Sequence, residues 1–186
     1  MKTIMMMFGR FQPPTIAHAN IINHMWNDSR RCPCESYVFI SPKQDNKKNP
    51  LSYEYRLEYL QKMKTYVNNP QQHILNDNTI KDPFGAICFL GKLGFEHIIV
   101  FTGSDRAEDY ESFRKYINHP DPLKCIPNVK EISIVGYERD SESVSATAAR
   151  EAAKVGDTDT FCSLTFGSLD DKCDLFCKVL EGLDPK

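Results

Sequence analysis

Ile4-Met5-Met6-Met7-Phe8, followed at once by Gly9-Arg10-Phe11-Gln12-Pro13-Pro14-Thr15-Ile16-Ala17-His18, decides how the rest of the 186-residue chain reads. Five consecutive apolar residues ending on a glycine suit a central parallel strand, which is covered on both faces and has no polar side to show. The run is too short to span a membrane and no cleavage region follows it, so it reads as neither anchor nor signal peptide. A helix is expected next, over residues 15–28, with Ile16, Ala19, Ile22 and Trp26 on its inner side.

Outward from this opening, strand and helix signals alternate. Tyr37-Val38-Phe39-Ile40 predicts a second strand and residues 41–50 a polar loop. Pro50 or Ser52 then opens a helix that buries Leu57, Leu60, Met63 and Val67. Residues 73–76 suggest a short strand, and Asp82-Pro83 caps a helix that stops near Gly94. His97-Ile98-Ile99-Val100-Phe101 is the next strand, turning at Thr102-Gly103-Ser104-Asp105 into a helix over 109–117. Ile132-Ser133-Ile134-Val135 is the last, and a helix follows over 143–155. From 157 to 180 the pattern gives a short polar start and one amphipathic helix.

This alternation specifies an α/β, three-layer Rossmann-like fold with an open parallel sheet of about five strands. The chain reads as one domain over 1–186, with 157–186 as a C-terminal helical extension. Right-handed crossovers bring the loops 9–18, 41–50, 103–106 and 136–145 to one edge of the sheet, where open α/β sheets bind ligands.

Composition narrows the partners. A net charge of -2 excludes broad attachment to nucleic acid or an acidic membrane, while leaving room for a local basic pocket. Seven cysteines, an odd number without a secretion signal, suit free thiols in the cytoplasm. Cys32-Pro33-Cys34 and the Cys173/Cys177 pair could offer metal ligands, but two CxxC knuckles are missing, so no protein-held metal is expected.

The chemistry concentrates at the sheet edge. Gly9 has no Cβ to keep a ligand from the backbone, and free N–H groups at the following helix start favour phosphate. His18, three residues after Thr15, lies on the same helical face and reaches the same cavity.

This opening resembles the nucleotidyltransferase superfamily known for its His-x-Gly-His signature. It is most similar to nicotinamide mononucleotide adenylyltransferases, which begin Gly-Arg-Phe-x-Pro, and to cytidylyltransferase-like proteins of tailed phages. Thr15 stands at the first signature histidine, Ala17 at the glycine and His18 at the second histidine. A second family motif, Ile-Ser-x-Thr-x-x-Arg, is matched by Val144-Ser145-Ala146-Thr147-Ala148-Ala149-Arg150. Gly103-Ser104-Asp105 resembles the family's Gly-x-Asp turn, and Lys47-Lys48-Asn49-Pro50-Leu51 a segment of the phage relatives.

The resemblance implies transfer of a nucleoside monophosphate from a nucleoside triphosphate to a phosphorylated small-molecule acceptor, with pyrophosphate released. His18, Thr15, Lys48 and Arg150 would be catalytic. Gly9, Arg10, Phe11, Gly103, Asp105, Ser145 and Thr147 would join His18 and Arg150 around the nucleotide. Lys47, Lys48, Arg56 and Arg139 would face the acceptor. Magnesium (Mg2+) would bridge triphosphate oxygens, and a homo-oligomer is compatible with the fold. The leading expectation is adenylyl transfer to nicotinamide mononucleotide, giving NAD. Cytidylyl transfer and a non-catalytic nucleotide-binding protein stay open. An aminoacyl-tRNA synthetase does not, since the Lys-Met-Ser-Lys-Ser loop and tRNA-binding domains are missing.

Overall fold

In the computed structural model, which describes residues 1–31, 34–67, 72–138 and 144–183, β1 (Thr3–Gly9) is the middle strand of a five-stranded sheet. The order is β3-β2-β1-β4-β5, all parallel, with β2 at Ser36–Ile40, β3 at Gln72–Ile74, β4 at His97–Gly103 and β5 at Glu131–Tyr137. Ile4, Met6 and Phe8 enter one core and Met5 and Met7 the other, which is why the run carries no polar residue. Burying each such side chain contributes roughly 1.5–3 kcal/mol before chain entropy is counted.

Helices α1 (Ile16–Arg31), α2 (Tyr53–Val67), α5 (Ala146–Lys154), α6 (Thr158–Leu164) and α7 (Leu169–Leu183) pack on the Met5/Met7 face. Helices α3 (Pro83–Lys92) and α4 (Ala107–Glu111), with a 3-10 turn over Ser112–Tyr116, cover the other. Right-handed crossovers require this split. The chain builds outward from β1 through β2 to β3, then returns past β1 to lay down β4 and β5. Its direction reverses between β1 and β4, and a crevice opens at their carboxyl ends.

Several elements differ in detail from the sequence reading. On α1 the buried stripe is Ala19, Ile22 and Met25, so strict three-residue spacing selects Met25 over Trp26. Strands β4 and β5 each run two residues past their apolar cores, because Phe101–Gly103 pair in register with Val135–Tyr137. The helix expected over 109–117 divides into α4 and the 3-10 turn. On α2 the buried face is Tyr53, Arg56, Tyr59, Leu60 and Met63, with Leu57 only half-buried; the side chain of Val67 lies outside the described set.

The tail forms two helices rather than one. Thr165, at the end of α6, is buried and donates its hydroxyl to the Phe161 carbonyl at 2.9 Å; Gly167 follows at φ +131°. Phe161, Leu164, Leu175 and Val179 share a core with Ala149, Ala152 and Ala153 of α5. Tyr55 donates to Asp174 at 2.7 Å and Tyr59 to the Phe166 carbonyl, fastening α7 and the turn before it to α2. At Gly182 any Cβ would overlap the Pro50 carbonyl, so glycine alone lets α7 lie against the loop after β2. Among the described residues, no helix is long and apolar enough to cross a membrane.

Candidate active site

A cavity of about 800 Å³ occupies the crevice at the carboxyl edge. Its first wall is the turn from β1 into α1. Phe11 holds φ +51°, an unusual left-handed conformation for a bulky residue, and its ring is wholly buried. That ring explains Gly9: a Cβ there would stand 2.7 Å from Phe11 Cε2. The absent side chain therefore makes room for the Phe11 ring.

Thr15 opens α1, its carbonyl accepting from Ala19 N–H at 3.1 Å. His18 reaches back to it: Nδ1 lies 3.0 Å from the Thr15 N–H and 2.8 Å from the Thr15 hydroxyl. This is the return half of a capping box, made by imidazole where Glu or Gln is usual. A backbone N–H only donates, so Nδ1 is the acceptor and the neutral ring carries its proton on Nε2. The Phe11 ring, 4.8 Å away between centroids, steadies the imidazole from one side.

The second wall is the start of α5. Ser145 is its N-cap, accepting from Ala148 N–H at 3.0 Å, and the first turn lines the cavity. Arg150 donates to the Gln12 carbonyl and, at 3.0 Å, to the Thr147 hydroxyl. Burial, and the Arg10 guanidinium beside it, hold the Arg150 pKa below the ordinary arginine value. Two of its five N–H groups go to these partners, and its side chain also lines the cavity.

The loop after β2 closes the third side. Asp45 accepts from the N–H groups of Lys47 (3.0 Å), Lys48 (2.7 Å) and Asn49 (3.2 Å), and from the Asn49 amide. The Lys48 N–H, then the Asn49 side chain, hold the Asp45 carboxyl well below the usual carboxylate range. The hairpin so wound presents Lys47 and Lys48, exposed, to the cavity. Gln12, buried, ties it to the first wall: its amide exchanges bonds of 2.9 Å with both Leu51 backbone groups.

The ends of β4 and β5 supply the floor: Thr102, Gly103 and Asp105 beside Tyr137. Tyr137 stacks on His24 of α1, 4.4 Å between centroids and 19° between planes, and on Phe101 at 6.0 Å. Burial, then the Asp28 carboxylate, raises the Tyr137 pKa.

Of the residues singled out from sequence, the cavity gathers Gly9, Arg10, Phe11, Thr15, His18, Lys47, Lys48, Gly103, Asp105, Ser145, Thr147 and Arg150. Arg56 is a correction. It is wholly buried beneath the loops and bonds only backbone carbonyls, because the inward face of α2 turns it toward the β1 and β2 loops instead of the acceptor. Arg139 lies outside the described residues. Gln12, His24, Asn49, Tyr137 and Lys154 also line the cavity, and sequence reasoning missed them. Only Gln12 and Asn49 left a trace, as polar residues inside motifs already marked. Among the described residues, no group of three or more His, Cys, Asp or Glu side chains is arranged to hold a metal.

Neither a protein-family model nor a curated protein matches the chain. Solved structures do. A Vibrio parahaemolyticus protein assigned as a nicotinate-nucleotide adenylyltransferase matches at TM-score 0.62 and 14% identity, over 100% of both chains. The Plasmodium falciparum nicotinic acid mononucleotide adenylyltransferase, complexed with NaAD, matches at 0.57 and 16%, over 97% of this chain and 100% of its own.

The chain shares its fold with nucleotide adenylyltransferases.

Thermotoga maritima TmcAL, bound with alpha-thio ATP, has the same fold at TM-score 0.60 and 12% identity; the chain covers only 57% of its length.

Proposed function

We propose that the protein is a nucleotidyltransferase, joining a nucleoside triphosphate to a phosphate-bearing acceptor and releasing pyrophosphate. The observation that carries this is the convergence of two helix starts, His18 and Arg150 on one cavity at the point where the sheet reverses direction. Helix N-termini, an imidazole N–H and a guanidinium are all donors, and together they suit a chain of phosphates. The shared fold, with NaAD and alpha-thio ATP in the Plasmodium and Thermotoga relatives, supports the same reading.

In this mechanism an acceptor phosphate oxygen, ionised at neutral pH, attacks the α-phosphorus; the bond to the bridging oxygen breaks and pyrophosphate leaves. No strong general base is needed. His18 Nε2–H donates to an α-phosphate oxygen as charge grows there, and Thr15 keeps the ring in that tautomer. The α5 start and Arg150 hold the β- and γ-phosphates, while Lys47 and Lys48 hold the acceptor phosphate. Alignment supplies much of the rest of the acceleration. Magnesium would come with the nucleotide and would offset charge on its phosphates, as suits a hard cation that favours oxygen.

Within this class we assign adenylyl transfer to nicotinamide mononucleotide, on the strength of the Gly9-Arg10-Phe11-Gln12-Pro13 opening and Thr15. The test is magnesium-dependent pyrophosphate release with ATP or CTP against nicotinamide mononucleotide, its nicotinate counterpart and other phosphorylated small molecules. ATP with the nicotinamide nucleotide should turn over fastest. Faster turnover with CTP would overturn the adenylyl assignment, and tight nucleotide binding without pyrophosphate release for any acceptor would overturn the enzyme.

A further inference from the structure

Beneath the cavity lies a buried charge that makes no ion pair among the described residues. Arg56 is wholly buried, and its acceptors are the carbonyls of Ser52 (3.0 Å), Arg10 and Ser41 (both 2.7 Å) and Lys43 (3.4 Å). Among the described residues no carboxylate pairs with it. Desolvating a lone cation costs several kcal/mol, and a neutral side chain of similar volume would avoid that cost. Burial pushes the Arg56 pKa down to about 10, against smaller opposing effects of Tyr53 and the Glu54 carboxylate, still high enough to keep the charge at neutral pH.

The four carbonyls are not arbitrary. Arg10 belongs to the turn after β1, and Ser41 and Lys43 to the loop after β2, the two segments that face the ligand. Only the Ser52 carbonyl is on the helix side. Gln12 grips the second loop as well, donating to Leu51 at 2.9 Å and to the same Lys43 carbonyl at 3.4 Å. Across a trans peptide the C=O and N–H point in opposite directions. Holding the Arg10 carbonyl inward therefore turns the Phe11 N–H away from Arg56, and Phe11 lines the cavity.

We propose that Arg56 is a positioning residue for a polyphosphate ligand: its fork locks the β1 and β2 loops together, and its buried charge adds to the cavity's pull on anions. The proposal rests on the reading of the cavity as a polyphosphate site. It also accounts for an arginine at a position where a neutral residue would pack at less cost. A unit charge about 10 Å from an anion, at an effective dielectric of about 20, changes affinity on the order of ten-fold.

Two variants of the full chain separate charge from grip, with inorganic tripolyphosphate as the probe in calorimetry at low salt. R56Q loses the charge, and its affinity should fall about ten-fold, with a flatter dependence on salt. R56K keeps the charge but not the fork. Its affinity should stay within about three-fold, while amide exchange at residues 10–12 and 41–51 speeds up about ten-fold and the rest of the protein is unchanged. An R56Q protein that melts cooperatively and binds as tightly as wild type overturns the proposal. If R56Q does not melt cooperatively, R56K decides: exchange unchanged in both loops overturns the proposal, and faster exchange confined to them supports it. Wild-type protein that binds tripolyphosphate but releases pyrophosphate with no substrate pair would instead sink the reaction and leave Arg56 its role.

Discussion

The two edges of the sheet carry nearly the same pair of side chains. At the carboxyl edge His18 lies 2.8 Å from the Thr15 hydroxyl; at the amino edge His97 Nε2 lies 2.8 Å from the Ser133 hydroxyl, with Glu131 at 3.8 Å. An imidazole beside a hydroxyl is therefore no site in itself. In a parallel α/β sheet the helices start at the carboxyl edge and end at the amino edge, so their dipoles attract anions at the first and repel them at the second. His18 also has a backbone N–H to fix its tautomer and a cavity to face, whereas His97 is hydrogen-bonded along the sheet to Ser133 of β5, with the Glu131 carboxylate 3.8 Å away.

Substitutions can break or sharpen this contrast. The largest effect belongs to His18→Ala, which should lower pyrophosphate release by about 10²–10³-fold while leaving the melt cooperative. Unchanged turnover with the true substrates would falsify its place at the α-phosphate. Arg150→Ala should come next, raising the nucleotide KM by about ten-fold or more. It should also cost about 1–3 kcal/mol in denaturant melts, since the buried Gln12 carbonyl loses its donor. Lys48→Ala should raise the acceptor KM by about ten-fold at low salt, and that gap should shrink as salt screens the exposed ammonium. Ser145→Ala removes an N-cap and should lower stability by about 1 kcal/mol, with a weaker effect on nucleotide binding. His97→Ala should be the mildest in turnover, within about two-fold of wild type, because this half-buried side chain stands at the edge of the sheet away from the cavity. A loss of turnover there comparable to His18→Ala would erase the distinction between the edges.

What could be read from sequence was what short runs encode. Ile4 to Phe8 announced a central strand, and Ser145 to Arg150 announced a capped helix start, because those signals are local. What stayed hidden depends on distant backbone. Arg56 looked like a ligand-facing cation because its acceptors are carbonyls, which every residue has, and Arg10 is 46 positions away. Gln12 bonds Leu51 across 39 positions for the same reason. The added residues of β4 and β5 come from pairing with each other, which no run of apolar residues records. Gly9 was expected to admit a ligand to the backbone, whereas the atoms a Cβ would meet belong to its own neighbour Phe11, whose left-handed backbone no pattern reveals.

Gly182 touches the backbone of Pro50, immediately beyond Lys47, Lys48 and Asn49. On the ribosome that loop is made early and waits for more than a hundred further residues before the helix that props it exists. Until then the loop is held only from its own side, by Asp45, Gln12 and Arg56, and lacks the surface against which Pro50 rests. A fluorescent reporter on the loop should therefore lose its remaining mobility only once α7 has left the ribosome, so that a loop made early is finished late.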